Sequence, residues 1–101
     1  MTNAVIETVT FKLAAGVSDA AFLETIPTVN NFLETCAGFI SRRLSKDSDD
    51  VWLDHLEWAT LAEAEAASEA LMQQESLMPF MQSFDMASVS MKHSKLQLSV
   101  G

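Results

Sequence analysis

A chain of 101 residues, 49% apolar and 20% charged, suits a single globular domain, taken here as 1–101, with one modest core. Fourteen acidic residues against six basic ones give a formal charge of −8, and no basic cluster exceeds the pair Arg42-Arg43. That field repels phosphate backbones and anionic lipid surfaces, so neither a nucleic acid nor a membrane is an expected partner. The single cysteine, Cys36, excludes an internal disulfide, and the opening MTNAVIETV lacks the basic and apolar regions of a signal peptide. No stretch approaches the roughly 18 apolar residues of a membrane helix, so the expected location is the cytoplasm.

Residues 4–13, AVIETVTFKL, alternate in polarity and are rich in β-branched side chains, which predicts a strand. Val5, Glu7, Val9, Phe11 and Leu13 share one of its faces. Gly16 breaks the pattern, and Ser18-Asp19 offers a helix N-cap with an acid in the first turn. From Phe22 to Cys36 apolar residues recur at three- and four-residue steps, predicting a helix that Pro27 kinks or divides and Gly38 ends. Residues 39–46 and 51–58 read as a hairpin around the loop Asp47-Ser48-Asp49-Asp50. Thr60 and Glu63 match a capping box opening an alanine-rich helix over 61–75. Pro79 interrupts a short helical turn, and 86–98 form the last strand.

The order β-α-β-β-α-β predicts a ferredoxin-like α+β fold. Right-handed crossovers place both helices on one face of an antiparallel sheet with strand order 4-1-3-2. The first three strands carry apolar residues on both faces, among them Trp52, Leu56 and Trp58 opposite Val51 and Leu53. A sheet covered on one side only then needs a partner for the other, and a homodimer through the bare faces covers it most economically.

The strand VIETVTFKL running into Ala-Ala-Gly-Val-Ser and an amphipathic helix resembles the opening of dimeric α+β barrel proteins. VWLDHLEW running into Thr60 and a helix of small residues is similar to their third strand and second helix. The superfamily includes antibiotic-biosynthesis-type monooxygenases, stress-responsive barrel proteins, haem-degrading enzymes and muconolactone isomerases. The resemblance implies a dimeric barrel and an apolar cavity. The first strand lacks the asparagine, and the second helix the histidine, that the monooxygenases and haem-degrading relatives use. No family catalytic residue carries over, haem is not expected, and Trp58 ends a strand rather than standing on that helix.

A regular four-residue hairpin sets Lys46 opposite Val51, Arg43 opposite Asp54 and Arg42 opposite His55. Arg42, His55 and Glu57 then share a face. A carboxylate beside an imidazole raises its proton affinity and an arginine holds an enolate oxygen, the parts for proton abstraction next to a carbonyl. The structural alternative is cross-strand pairing on a half-buried sheet. Glu7 is the one charge on an apolar strand face, either a general base in a cavity or an edge residue reaching water. His93, on the face of Ala87, Val89 and Met91, extends His55 and Glu57 towards a His-His-carboxylate set, but without closed ligand spacing no metal and no other cofactor are expected. Trp58, Phe80, Met91 and His93 are the candidate pocket lining, with core packing as the alternative for the aromatic and thioether side chains.

The expected function is therefore action on a small, largely apolar molecule, as a cofactor-independent monooxygenase or isomerase, in a cavity enclosed by the dimer. The alternative is a non-catalytic ligand-binding or stress-associated dimer, and the residues leave open whether the chain is an enzyme.

Overall fold

The computed structural model describes residues 3–101; Met1 and Thr2, at the start of the expected domain, lie outside the described residues. Four strands, β1 (Val5–Leu13), β2 (Phe39–Lys46), β3 (Trp52–Trp58) and β4 (Phe84–Lys95), form one antiparallel sheet in the order β2-β3-β1-β4. This is the expected order read from the other edge. The crossover from β1 to β2 carries α1 (Asp19–Glu24) and α2 (Ile26–Glu34), and that from β3 to β4 carries α3 (Leu61–Leu71), a single 3-10 turn (Glu75–Leu77) and α4 (Met78–Gln82). Among the described residues no helix is long and apolar enough to cross a membrane.

Local chemistry explains the boundaries. Ser18 Oγ accepts from the Ala21 amide and starts α1, and Pro27 sits in the first turn of α2, where its missing N–H costs nothing. The predicted helix is thus divided at Thr25 rather than kinked. Thr60 Oγ1 accepts from the Glu63 amide at 3.1 Å and meets Glu63 Oε1 at 3.0 Å, the expected cap of α3. Gly38 has a φ of +83°, and a Cβ there would come within 3.0 Å of the Glu63 side chain, so the chain turns out of the helix only because this residue is glycine.

The register of the β2–β3 hairpin differs from the expected one by a residue. Lys46 stands opposite Trp52, and Asp47 N donates to Val51 O at 2.9 Å. The loop proper therefore holds three residues rather than four. Asp50 adopts a left-handed φ of 62°, and Asp47 Oδ1 accepts from the amides of Asp49 and Val51. This is a turn followed by a bulge residue, for which aspartate is a tolerated alternative to glycine. A second bulge at Ile40 absorbs the shift, so that Phe39 faces Trp58 again.

The inner, helix-facing side of the sheet carries Val5, Glu7, Val9, Phe11, Trp52, Asp54, Leu56 and Trp58. Phe11, Phe22, Trp52, Phe80 and Phe84 form an aromatic cluster at one end of the core, with Phe11–Phe84 centroids 4.3 Å apart and Phe22–Trp52 4.9 Å apart. Towards the other end, Trp58 packs edge-on against Phe39. Between them α3 presents Ala64 and Ala67, which are buried.

Candidate functional site

A cavity of about 390 Å³, with Ala67 in its wall, lies between the sheet and the helices, within the range of small-molecule sites. Val9, Leu56 and Trp58 form its floor. Val29, Leu33, Ala67, Leu71 and Phe80 close it from the helices, and Met72 and Met91 stand at the exposed side. The cavity lies inside one protomer, on the helix-covered side of the sheet.

Four polar groups enter this apolar wall from the sheet. Arg42 and Asp54 form a bidentate pair, Nε–Oδ1 2.8 Å and Nη2–Oδ2 2.5 Å, with both side chains over nine-tenths buried. Arg42 Nη1 donates to Asn30 at 3.0 Å, and the guanidinium lies 5.8 Å from the Phe80 ring centre. Three of the five N–H donors of Arg42 are thus engaged, and its charge is matched. Glu7 stands one residue pair along β1, 7% exposed, with Oε1 2.9 Å from His93 Nε2. Burial raises the Glu7 pKa above its ordinary 4.5; the hydrogen bond and charge of His93 oppose that rise, and Asp54 adds to it. The fourth group is Trp58, whose Nε1–H is buried and finds no acceptor among the described residues. A buried donor left unpaired is costly, and this one belongs to a side chain that lines the cavity.

The expected trio is not assembled. With the register shifted, Arg42 pairs with Leu56 and turns inward to Asp54, while His55 lies opposite Arg43 and Thr8 on the outer face. His55 is exposed and Glu57 half-buried on that same outer face, away from the cavity. Arg43 does not face Asp54, which is paired with Leu44 and Val9. His55 and His93 point to opposite sides of the sheet, so they cannot share a metal ion. Among the described residues no group of three His, Cys, Asp or Glu side chains gathers as a metal site.

Of the other candidates, Trp58, Phe80 and Met91 line the cavity, whereas His93 borders it only through Glu7. Of the two places open to Glu7, the structure gives the buried one, because β1 is an inner strand. Asp54 was missed as a site residue. Its signal was a lone acid among Trp52, Leu56 and Trp58 on an alternating strand, the same signal that marked Glu7.

No protein-family model matches the sequence, and no curated protein is similar enough to match it. Solved structures do resemble the fold. A Bordetella bronchiseptica protein assigned to the antibiotic biosynthesis monooxygenases superposes with a TM-score of 0.80, at 13% identity, over 96% of this chain and 100% of that one. SnoaB, a cofactor-independent oxygenase from Streptomyces nogalater, gives 0.66 at 15% identity over 99% and 97%. The monooxygenase ActVA-Orf6 of Streptomyces coelicolor, in complex with nanaomycin D, gives 0.68 at 12% identity over 96% and 90%. The chain therefore shares its fold with these proteins, and the ferredoxin-like α+β arrangement expected from the element order is borne out.

Proposed function

We propose that this protein is a cofactor-independent oxygenase that binds a small, largely apolar, oxidisable aromatic molecule in the inner cavity and uses Glu7 as its base. The observation that carries the reading is a buried carboxylate in an apolar cavity wall, with a raised pKa and one hydrogen-bond partner. A base whose pKa moves from 4.5 towards the working pH is a better proton acceptor for a weak carbon or phenol acid. Trp58 Nε1–H is a donor with capacity to spare for the substrate oxygen, because it lines the cavity and has no acceptor among the described residues.

For a methylene flanked by aromatic rings and activated by a carbonyl, Glu7 removes one proton and the carbanion passes one electron to dioxygen. The radical pair combines to a peroxide anion, which takes the proton back from Glu7, and the resulting hydroperoxide loses water. One methylene and one dioxygen thus give one carbonyl and one water, with no external reductant. The likeness to SnoaB and ActVA-Orf6 supports this class of chemistry through the fold. Oxygen uptake with anthrone as probe tests it. Glu7→Gln is expected to lower kcat by about 10²–10⁴-fold, the usual worth of general base catalysis. Turnover unchanged in that variant removes Glu7 from the reaction.

A non-catalytic binding protein is the second reading, favoured by the mutual satisfaction of Arg42 with Asp54 and Glu7 with His93. Retention of a hydroxyaromatic molecule without oxygen uptake supports it. We further propose a homodimer through the outer sheet face, where Ile6 and Leu53 lie half-buried among threonines. Light scattering tests that assignment. A monomer removes the dimer but leaves the cavity, which is complete within one chain.

A further inference from the structure

We propose that the inner cavity selects neutral aromatic ketones over carboxylated ones, with Trp58 as the specificity-determining residue that reads the carbonyl oxygen. The proposal rests on the reading of this cavity as the ligand site, though not on any turnover there. Two independent features of the lining carry it. One is an indole donor without a partner, and the other is a polar wall whose charge is already negative.

Trp58 ends β3 on the inner face, opposite Val5 and Phe39, and is 1% exposed. Its ring packs edge-on against Phe39 and lines the cavity. Among the described residues its Nε1 is the one buried side-chain polar atom left without a partner. An indole nitrogen can only donate, so what satisfies it is an acceptor oxygen, and an uncharged one suffices. Ser68, the other neutral donor in the lining, is half-buried, where water serves it.

The charges in the wall oppose an anion. Glu7, Asp54 and Glu69 bring carboxyl groups to the lining, against the single guanidinium of Arg42. Even with Glu7 protonated the balance is negative. Arg42 keeps two N–H donors, but Asp54 already matches its charge through both carboxylate oxygens. His93 is held by Glu7 and does not line the cavity. A ligand carboxylate entering here loses its water and meets like charge, whereas a ketone does neither. The formal charge of −8 on the whole chain acts in the same sense from outside.

The probes are fluorenone and fluorene, one frame with and without the carbonyl, and fluorenones carrying a carboxylate or a carboxamide at the same ring position. Fluorenone has no methylene to oxidise, so its binding is read apart from turnover. Equilibrium dialysis at neutral pH gives the Kd values. In Trp58→Phe the affinity for fluorenone relative to fluorene is expected to fall about three- to tenfold, the worth of one hydrogen bond to a neutral acceptor. The carboxylate is expected to bind at least about tenfold more weakly than the carboxamide. The chain has two tryptophans, so a proton–nitrogen correlation spectrum of the wild type shows two indole signals. That of Trp58 is expected to move downfield with fluorenone and not with fluorene; Trp58→Phe assigns it, or Trp52→Phe where the first variant does not fold. An unchanged affinity ratio in Trp58→Phe, or an indole signal that responds to both probes alike, overturns the role of Trp58. A carboxylate bound as tightly as the carboxamide overturns the charge selection. Ketone selection in a protein that takes up no oxygen with anthrone removes the oxygenase reading and leaves this one, and oxygen uptake with an unmoved indole does the reverse. Failure of both fluorenone and fluorene to bind the wild type overturns the cavity as a ligand site, and the proposal with it.

Discussion

The two faces of the sheet carry similar polar residue types in opposite circumstances. The inner face sets Glu7, Asp54, Arg42 and His93 among Phe11, Leu56 and Trp58, and the outer face sets His55, Glu57 and Arg43 among threonines and serines. Only on the inner face are charges taken out of water, so only there must each find a partner or shift its protonation. The inner polar residues are therefore the informative ones. An exposed His55 beside Arg43 is held by nothing that a solvent molecule could not supply.

The largest test of this contrast is Asp54→Ala, which leaves Arg42 buried and unpaired. A loss of about 3–5 kcal/mol in urea unfolding is expected. Replacing both partners, Arg42→Met with Asp54→Leu, is expected to recover most of it, because no orphaned charge remains. A double variant as unstable as the single one breaks the argument that desolvation governs this face.

A smaller effect separates Glu7 by its pH dependence. Its folded pKa lies above the unfolded value of about 4.5, so the folded state holds the proton more tightly. The stability this group contributes is full below 4.5 and is lost as pH rises through the folded pKa. Glu7→Gln has no such loss, so its thermal midpoint should gain on the wild type as pH rises from about 4.5 to neutrality. A gap that moves the other way shows that His93 outweighs burial. The same ionisation predicts an acidic limb in the rate profile above 4.5, absent from the glutamine variant.

The smallest effect is expected on the outer face. His55→Ala and Glu57→Gln should alter stability by no more than about 0.5 kcal/mol and leave anthrone turnover as it is. A tenfold loss of turnover in either would bring the outer face, and with it a dimer-enclosed space, back into the reaction.

Much of this protein is determined by residue order alone. Alternation in VIETVTFKL and VWLDHLEW, the Ser18 and Thr60 caps, Pro27 and Gly38 place the elements, and handedness arranges them as β2-β3-β1-β4. These are local signals, acting within a few residues. The lone acids Glu7 and Asp54 on apolar strand faces are likewise legible as anomalies. Tertiary structure decided which polar residues meet. One left-handed residue, Asp50, slides β2 by a position against β3, and since side chains alternate sides, that single step sends Arg42 to Asp54 and His55 to the opposite face. The pairing of Glu7 with His93, 86 positions apart, and the cavity between sheet and helices arise from packing between elements, which no spacing within one element encodes.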